Sequence, residues 1–374
     1  MNSLKKFIKD YKSMLFVYAP VVFVLFFVGF MLVSFPEKAA QGVKDGLNIS
    51  FNVLIPSMYV FMVFSGFVVE TGIISKFAGK FTRVFERLFD MPSEAFFVMI
   101  LSAIGGYPVG PQCTVNLFQN GTISRNHAKK LLLCAINPSP AFVIGTVGSY
   151  MLQNKNLGGI IYVSTVLTSV IMMFVLRFVT LSDENYLPSK TDEGSVGLAQ
   201  GFVNSVKKGA SGMINICSFV ILFSCINSLI EVLNLHQKVV IFLNSILEVT
   251  NGCISVSAYL PVSAVAAVIS FGGLCTFCQI LPHIVKVRLD IKIYLSARIL
   301  SAAISALICE GLVNILPISC ETFSTSAKPE QFFTSSSVWV SVGLIILTSL
   351  FILGDDYIIK RERVKIENNN KKVD

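Results

Sequence analysis

Two interruptions of apolar sequence carry residues that could bind a solute inside a membrane. The motif GGYPVGP at residues 105–111 ends an apolar run of about 12 residues, too short to cross roughly 30 Å of hydrocarbon. The motif NPSP at residues 137–140 breaks the next run near its middle. Proline removes a backbone donor, so both breaks free backbone polar groups that lipid cannot satisfy. This pattern is typical of transporter sites, and the alternative is a pair of structural kinks in an ordinary helix bundle.

A similar pattern returns at residues 260–286, where a glycine pair separates two short apolar runs. If both broken regions enter the membrane as hairpins from opposite sides, their half-helix N-termini meet near the midplane. Each N-terminus carries about half a positive charge and unpaired N–H groups, which suit an anion. Alternatively, the glycines only permit helix packing, and the polar side chains at residues 137–140 cap freed backbone groups. The candidates for substrate binding at these breaks are Gly105, Gly106, Tyr107, Pro108, Gly110, Gln112, Asn137, Ser139, Gly272, Gly273, Thr276 and Gln279.

Two charged residues near these breaks extend the set of candidates. Arg298 lies about two turns inside an apolar run, where an unpaired charge costs a few kcal/mol, and it shares a small, polar stripe with Ser301. Arg298 either reaches the headgroups or a carboxylate, or it neutralises an anionic substrate, and we include both residues among the substrate-binding candidates. Glu248, Thr250 and Asn251 are candidates for ion coupling or gating. Glu248 could carry a coupling proton, bind a cation, pair with Arg298 or cap a helix.

The remaining reactive side chains form no recognisable catalytic or metal-binding pattern. The nine cysteines lie mostly in apolar runs, and the CxxC spacing at residues 275–278 has no second cysteine pair or histidine cluster beside it. The three histidines fall at segment ends, and no HExxH, GxSxG or P-loop motif occurs. We therefore expect a protein without enzymatic activity, metal or cofactor.

The composition is that of a polytopic membrane protein. Of the 374 residues, 53% are hydrophobic and 14% are charged, whereas about 25% are charged in soluble chains. The mean hydropathy is +0.71. The formal charge of +8 lies largely at the termini and in short loops, which fits contact with anionic lipid headgroups better than binding to nucleic acid.

The elements that must position these residues form an all-α inverted repeat. Each repeat has the order span, interfacial helix, re-entrant hairpin, broken span and span, and one extra span precedes both. Residues 75–91 have the amphipathic pattern of an interfacial helix. The basic residues favour a cytoplasmic N-terminus and first hairpin. The predicted divisions are a basic head and first span at 1–46, a first repeat at 47–180 with its hairpin at 93–120, a polar loop at 181–208, a second repeat at 209–355 with its hairpin at 260–286, and a charged tail at 356–374.

Several motifs together resemble a known family. The stretches SAIGGYPVG, GTISRNHA, CAINPSPAFVIGTVG, LEVTNG and SFGGL resemble the nucleoside-recognition gate repeats, and more closely the YlbJ-type sporulation integral membrane proteins of endospore-forming bacteria. The resemblance covers about residues 45 to 355. The gate repeats are similar in architecture to concentrative nucleoside transporters. The NPSP motif at residues 137–140 departs from the Ser/Thr-Gly-Pro type of break that is usual in the family.

The resemblance implies a function and a location. It implies transport of dipicolinic acid, a small organic anion, across the outer forespore membrane during sporulation. A nucleoside or another small solute is an alternative substrate, and a membrane scaffold for spore assembly is an alternative of a different class. We expect a protein of the bacterial cell membrane or outer forespore membrane whose partners are its anionic substrate and lipid. The related nucleoside transporters are trimers, which makes a homo-oligomer a further expectation.

Overall fold

Helices form the whole of the regular structure in the described part of the chain. The computed structural model describes residues 22–23, 25–71, 80–181 and 197–316. The predicted last span, the charged tail and most of the basic head and polar loop lie outside these residues. In the first half the helices are α1 (Leu25–Ser34), α2 (Pro36–Ile49), α3 (Ile55–Glu70), α4 (Lys80–Phe89), α5 (Ser93–Gly105), α6 (Val109–Gln119), α7 (Arg125–Cys134), α8 (Ala141–Met151) and α9 (Lys155–Leu176).

The second half begins with the longest helix of the described residues. In this half the helices are α10 (Leu198–Val232), α11 (Gln237–Leu247), α12 (Val249–Ser257), α13 (Val262–Phe271), α14 (Gly273–Val287) and α15 (Ile291–Ile315). Helix α10 starts inside the predicted polar loop, so the loop is shorter than the sequence suggests. A π-helical turn, Ser50–Leu54, joins α2 to α3, and α8 is itself π-helical.

The chain is an integral membrane protein with an all-α polytopic fold, as predicted. Within the described ranges, four segments are long and apolar enough to cross a membrane: α9, α10, the pair α13–α14, and α15. The segments Pro36–Leu54 and Met58–Val68 together form a fifth candidate span, bent by 56°. Helix α4 falls within the predicted interfacial helix at residues 75–91.

Helices α5 and α6 form a folded-back pair within residues 93–120, and the re-entrant position of this hairpin in the membrane stays a prediction. Helices α5 and α6 are joined by three residues, and a Cβ placed on Gly110 would lie 2.8 Å from the side-chain oxygen of Ser102. These two residues are eight positions apart and would be about 12 Å apart in a continuous helix. Helix α6 therefore folds back along α5.

The second folded-back pair differs from the prediction. It is formed by α11 and α12, because the side-chain amide of Asn244 donates to the hydroxyl of Ser255 at 2.8 Å, and a Cβ on Gly252 would lie 2.9 Å from the Cα of Ser245. The sequence analysis places the hairpin at residues 260–286 and gives α11 the role of an interfacial helix. The structure instead joins α13 and α14 into one 26-residue candidate span that is broken at Gly272.

This shift changes which parts of the two halves correspond. Hairpin α5–α6 corresponds to hairpin α11–α12, the broken pair α7–α8 to the broken pair α13–α14, and α9 to α15. The order of span, hairpin, broken pair and span recurs in both halves, but α4 has no counterpart among the described helices of the second half, and the glycine pair at 105–106 is not the counterpart of the pair at 272–273. The opposite membrane orientation of the two halves stays a prediction.

Close backbone contacts hold α10 against the first half. A Cβ on Gly42 would lie 2.7 Å from the Cα of Cys225, and one on Gly46 would lie 2.6 Å from the Cα of Ile221. Small residues allow such an approach, which is the main source of helix association in lipid because hydrophobic burial contributes little there. Helix α10 is thereby held against α2, and it also contacts α3, α11 and α14.

Candidate functional site

The tip of the first hairpin depends on one glycine with a left-handed backbone. Gly106 has φ of +91°, which side-chain-bearing residues rarely adopt. Tyr107 and Pro108 follow, and Pro108 precedes α6 without any side-chain cap on that helix. A Cβ on Gly110 would lie 1.9 Å from the carbonyl oxygen of Ala135. The first turn of α6 is thus pressed against the chain that leaves α7.

The break between α7 and α8 is held by a network of buried side chains. The backbone and side-chain N–H groups of Asn137 both donate to the hydroxyl of Ser102 at 3.3 Å, and Ser169 donates to the Asn137 amide oxygen at 2.5 Å. The hydroxyl of Ser139 accepts the N–H of Phe142 at 3.3 Å, in the first turn of α8. Asn137 therefore stabilises the break itself.

The tip of the second hairpin is a single extended residue, Glu248. Its two carboxylate oxygens accept the backbone N–H groups of Thr250 and Asn251 at 2.9 and 2.8 Å, which caps the N-terminus of α12. Glu248 is 3% exposed. Of the roles considered for it, helix capping is observed, and within the described residues it makes no ion pair with Arg298.

The break between α13 and α14 leaves backbone carbonyls at the end of α13 that other elements satisfy. Gly272 and Gly273 have φ of +86° and +69°. The hydroxyl of Tyr107 donates to the carbonyl of Ile269 at 2.7 Å, and the buried guanidinium of Arg298 donates to the carbonyl of Ser270. Since a helix C-terminus carries partial negative charge, Arg298 lies where a cation is stabilising.

Residues at or next to all four broken regions line one partly open cavity. Its polar lining comes from Tyr107, Ser139, Glu248, Thr250, Thr276 and Gln279. The rest of the lining is apolar or weakly polar and consists of Leu54, Met58, Pro108, Phe142, Ile216, Val220, Val249 and Cys275.

The cavity lies at the N-termini of four helices. Tyr107 and Pro108 precede α6, Phe142 is in the first turn of α8, Val249 begins α12, and Thr276 is in the first turn of α14. The N–H groups of a first helical turn have no acceptor within the helix, and each terminus carries about half a positive charge. Only α12 has a carboxylate at this end, so the cavity is suited to an anion.

The structure brings part of the predicted site together. The predicted residues that line the cavity are Tyr107, Pro108, Ser139, Glu248, Thr250, Thr276 and Gln279. The predicted residues outside the lining are Gly105, Gly106, Gly110, Gln112, Asn137, Asn251, Gly272, Gly273, Arg298 and Ser301. Several of these shape the breaks, and their direct contact with a substrate stays a prediction.

Sequence reasoning missed the apolar wall and one thiol. Ile216 and Val220 come from α10, and Leu54 and Met58 come from the kink before and within α3. These residues carry no chemical signature in a sequence that is apolar throughout. Cys275 is 2% exposed and accepts a 3.4 Å contact from the Gln279 amide. Among the described residues, no group of three or more His, Cys, Asp or Glu side chains could hold a metal ion.

The chain is similar to one curated protein, the sporulation integral membrane protein YlbJ of Bacillus subtilis (strain 168). The two are 25% identical over 232 residues. The matched region covers 56% of this chain, and the chain spans 56% of the length of that relative. No protein-family model and no solved structure matches the chain. The similarity supports a distant relationship to a sporulation membrane protein.

Proposed function

We propose that this protein transports a small organic anion across a membrane of a sporulating bacterium. The observation that carries the proposal is the convergence of four helix N-termini on one cavity, with a single carboxylate among its lining residues. An anion at a partly buried helix N-terminus is stabilised by roughly 1 to 2 kcal/mol. Three of the termini, those of α6, α8 and α14, carry no carboxylate and together contribute about 3 to 6 kcal/mol, which corresponds to dissociation constants between about 6 mM and 40 µM. The cavity therefore needs no arginine in its lining.

Dipicolinate across the outer forespore membrane is the substrate and location that we favour. It is a flat aromatic ring with two carboxylates, so its charges suit opposed helix N-termini. Its ring suits the apolar wall that Met58, Phe142, Ile216 and Val220 form. The printed name of the relative is that of a sporulation integral membrane protein, which supports the choice of a membrane in a sporulating cell.

A nucleoside is the second candidate because of two lining residues. The Phe142 ring could stack on a base, and the Gln279 amide could bond to its polar edge. A nucleoside carries no charge, so it gains less from the helix N-termini than a dicarboxylate does. A membrane scaffold, the third function considered, needs no solute in the cavity.

The test is a binding comparison with a matched pair of variants on α10. Ile216 lines the cavity and is 4% exposed, whereas Ile214 is 69% exposed on another face of the helix. We expect dipicolinate to bind the purified protein in calorimetry and uridine not to bind. Ile216→Trp should weaken dipicolinate binding at least about tenfold, because the larger side chain fills the cavity and overpacks it. Ile214→Trp should bind as the wild type does.

The remaining outcomes separate the functions. Uridine binding that Ile216→Trp abolishes, without dipicolinate binding, would favour a nucleoside transporter. If neither solute binds a folded protein, the scaffold is favoured. Uptake of labelled dipicolinate into proteoliposomes, with Ile216→Trp as the negative control, then distinguishes transport from binding alone.

A further inference from the structure

Glu248 is the one charged side chain in the cavity lining of the described chain. It lines the cavity together with residues of α3, α8, α10, α12 and α14 and of the loop before α6, and its carboxylate accepts two backbone N–H groups. The titratable groups that interact with it from these elements are Tyr107, Cys253 and Cys275. The basic group Arg298 interacts with Tyr107 and donates to the Ser270 carbonyl.

No basic side chain among the described residues forms an ion pair with this carboxylate. An anion that enters the cavity therefore meets a second negative charge, on a residue that is itself 3% exposed. The repulsion between two such charges is far stronger there than in bulk water. Glu248 also occupies the N-terminus of α12, which would otherwise be available to the anion.

We propose that Glu248 binds a proton when the anion enters the cavity, so that the two are carried together. This inference rests on the proposed anion transport. The proton comes from water on the side of entry and forms an O–H bond with the Glu248 carboxylate. The neutral carboxyl group can then donate a hydrogen bond to the anion. On the side of release the anion leaves, the O–H bond breaks and the proton returns to water, so charge and atoms balance.

Proton uptake fixes how the affinity must depend on pH. Where Glu248 is ionised in the empty protein, uptake of one proton per anion weakens anion binding about tenfold for each unit of rising pH. The affinity is therefore highest at low pH. The substitution Glu248→Gln places a neutral amide there, which is similar in shape to the protonated carboxyl and keeps one oxygen for the helix cap. The affinity of this variant should then be independent of pH and close to the low-pH affinity of the wild type.

The experiment is titration calorimetry of the full-length purified protein with dipicolinate between about pH 6 and pH 9, where the ligand carries both charges. Two buffers with different ionisation enthalpies are used at each pH, so that the number of protons bound per anion is measured directly. We expect about one proton per anion in the wild type at the upper end of this range, and none in Glu248→Gln. Glu310→Gln is the matched control, because Glu310 is an exposed acid on α15. It should take up protons as the wild type does.

Each result has a distinct meaning. Anion binding by the wild type without proton uptake over the whole range would overturn the coupling and leave the proposed transport intact. Equal uptake in Glu248→Gln and the wild type would also overturn it, because another group would then bind the proton. If Glu248→Gln fails to fold, the wild-type uptake still decides between coupled and uncoupled binding. Absence of anion binding by folded wild-type protein at every pH would overturn the proposed function together with this inference.

Discussion

The two hairpins reach the same cavity through different chemistry. Hairpin α5–α6 turns through a loop in which Gly106 has a left-handed backbone, and the N-terminus of α6 has no side-chain cap. Hairpin α11–α12 turns at one extended residue, Glu248, whose carboxylate caps α12. The first tip depends on backbone freedom and has no side chain on its helix N-terminus, where the Val109 N–H donates to the Gly106 carbonyl. The second tip depends on a charged side chain, which binds its own helix N-terminus.

This difference assigns separate tasks to the two tips. The N-terminus of α6, which has no side-chain cap, adds to the positive potential of the cavity. The Glu248 carboxylate offsets the partial positive charge at the N-terminus of α12. A symmetric pair of uncapped tips would bind an anion more tightly and would have no acid beside it. If the protein transports an anion as proposed, the asymmetry favours release as well as binding, since the carboxylate then opposes the anion unless a proton is bound.

The largest expected effect tests how tightly each hairpin is packed. Gly110→Ala should destabilise the protein by about 3 kcal/mol or more, because the new methyl group would lie 1.9 Å from the Ala135 carbonyl oxygen. Gly252→Ala in the second hairpin should cost less, about 1 to 2 kcal/mol, since its nearest contact is 2.9 Å. Thermal unfolding in detergent measures both. Gly159→Ala is the control, because a Cβ on Gly159 would meet nothing within 4 Å. A melting temperature of Gly110→Ala equal to that of Gly159→Ala would refute the tight packing of the first hairpin.

A smaller effect distinguishes the two tips by their caps. Glu248→Ala removes the acceptor for the N–H groups of Thr250 and Asn251, and loss of a helix cap costs about 1 to 2 kcal/mol. Amide hydrogen exchange in the first turn of α12 should therefore accelerate about tenfold. Pro108→Ala removes no such acceptor from α6, so exchange in the first turn of α6 should change little. Equal acceleration in both variants would contradict the difference between the tips.

The smallest effect concerns the bond between the two halves. Tyr107→Phe removes the donor to the Ile269 carbonyl, which is worth about 1 kcal/mol. In a variant that retains Cys275 as its only cysteine, modification of this lining thiol by a maleimide should become about fivefold faster. Tyr162→Phe is the control, because the Tyr162 hydroxyl donates to Ala103 within the first half. Identical rates of Cys275 modification in Tyr107→Phe and Tyr162→Phe would show that the Tyr107 hydrogen bond does not limit access of the reagent to the cavity.

The sequence is most informative where glycine and proline make the break. The turn around Gly106 and the break around Asn137 can be predicted, because both interrupt apolar runs with residues that do not continue a helix. The second tip contains neither residue type, and its turn depends on a carboxylate that caps the next helix. The glycine pair at 272–273 is a stronger sequence signal for a turn than Glu248 is. The sequence therefore predicts a hairpin at residues 260–286, whereas the folded-back pair in the structure is α11–α12.

Other parts of the site depend on contacts distant in the chain. The interpretation of Arg298 as a substrate ligand follows from its depth in an apolar run. In the structure, the Arg298 guanidinium instead donates to the carbonyl of Ser270, 28 positions earlier in the chain. This carbonyl lies at the C-terminal end of α13. The periodicity of α10 does not distinguish Ile216 from Ile214. Only the packing of α10 in the folded protein shows that Ile216 lines the cavity and Ile214 does not.

The hydroxyl bond from Tyr107 to Ile269 also bears on how the protein is made. Its two residues are 162 positions apart. At synthesis rates of about 5 to 20 residues per second, roughly 10 to 30 seconds pass between their exit from the ribosome. Throughout that interval the first hairpin is in or near the bilayer without its partner, and the uncapped N-terminus of α6 faces an unfinished site. The nascent first half must therefore be sheltered from lipid, by water or by the insertion machinery, until α13 arrives.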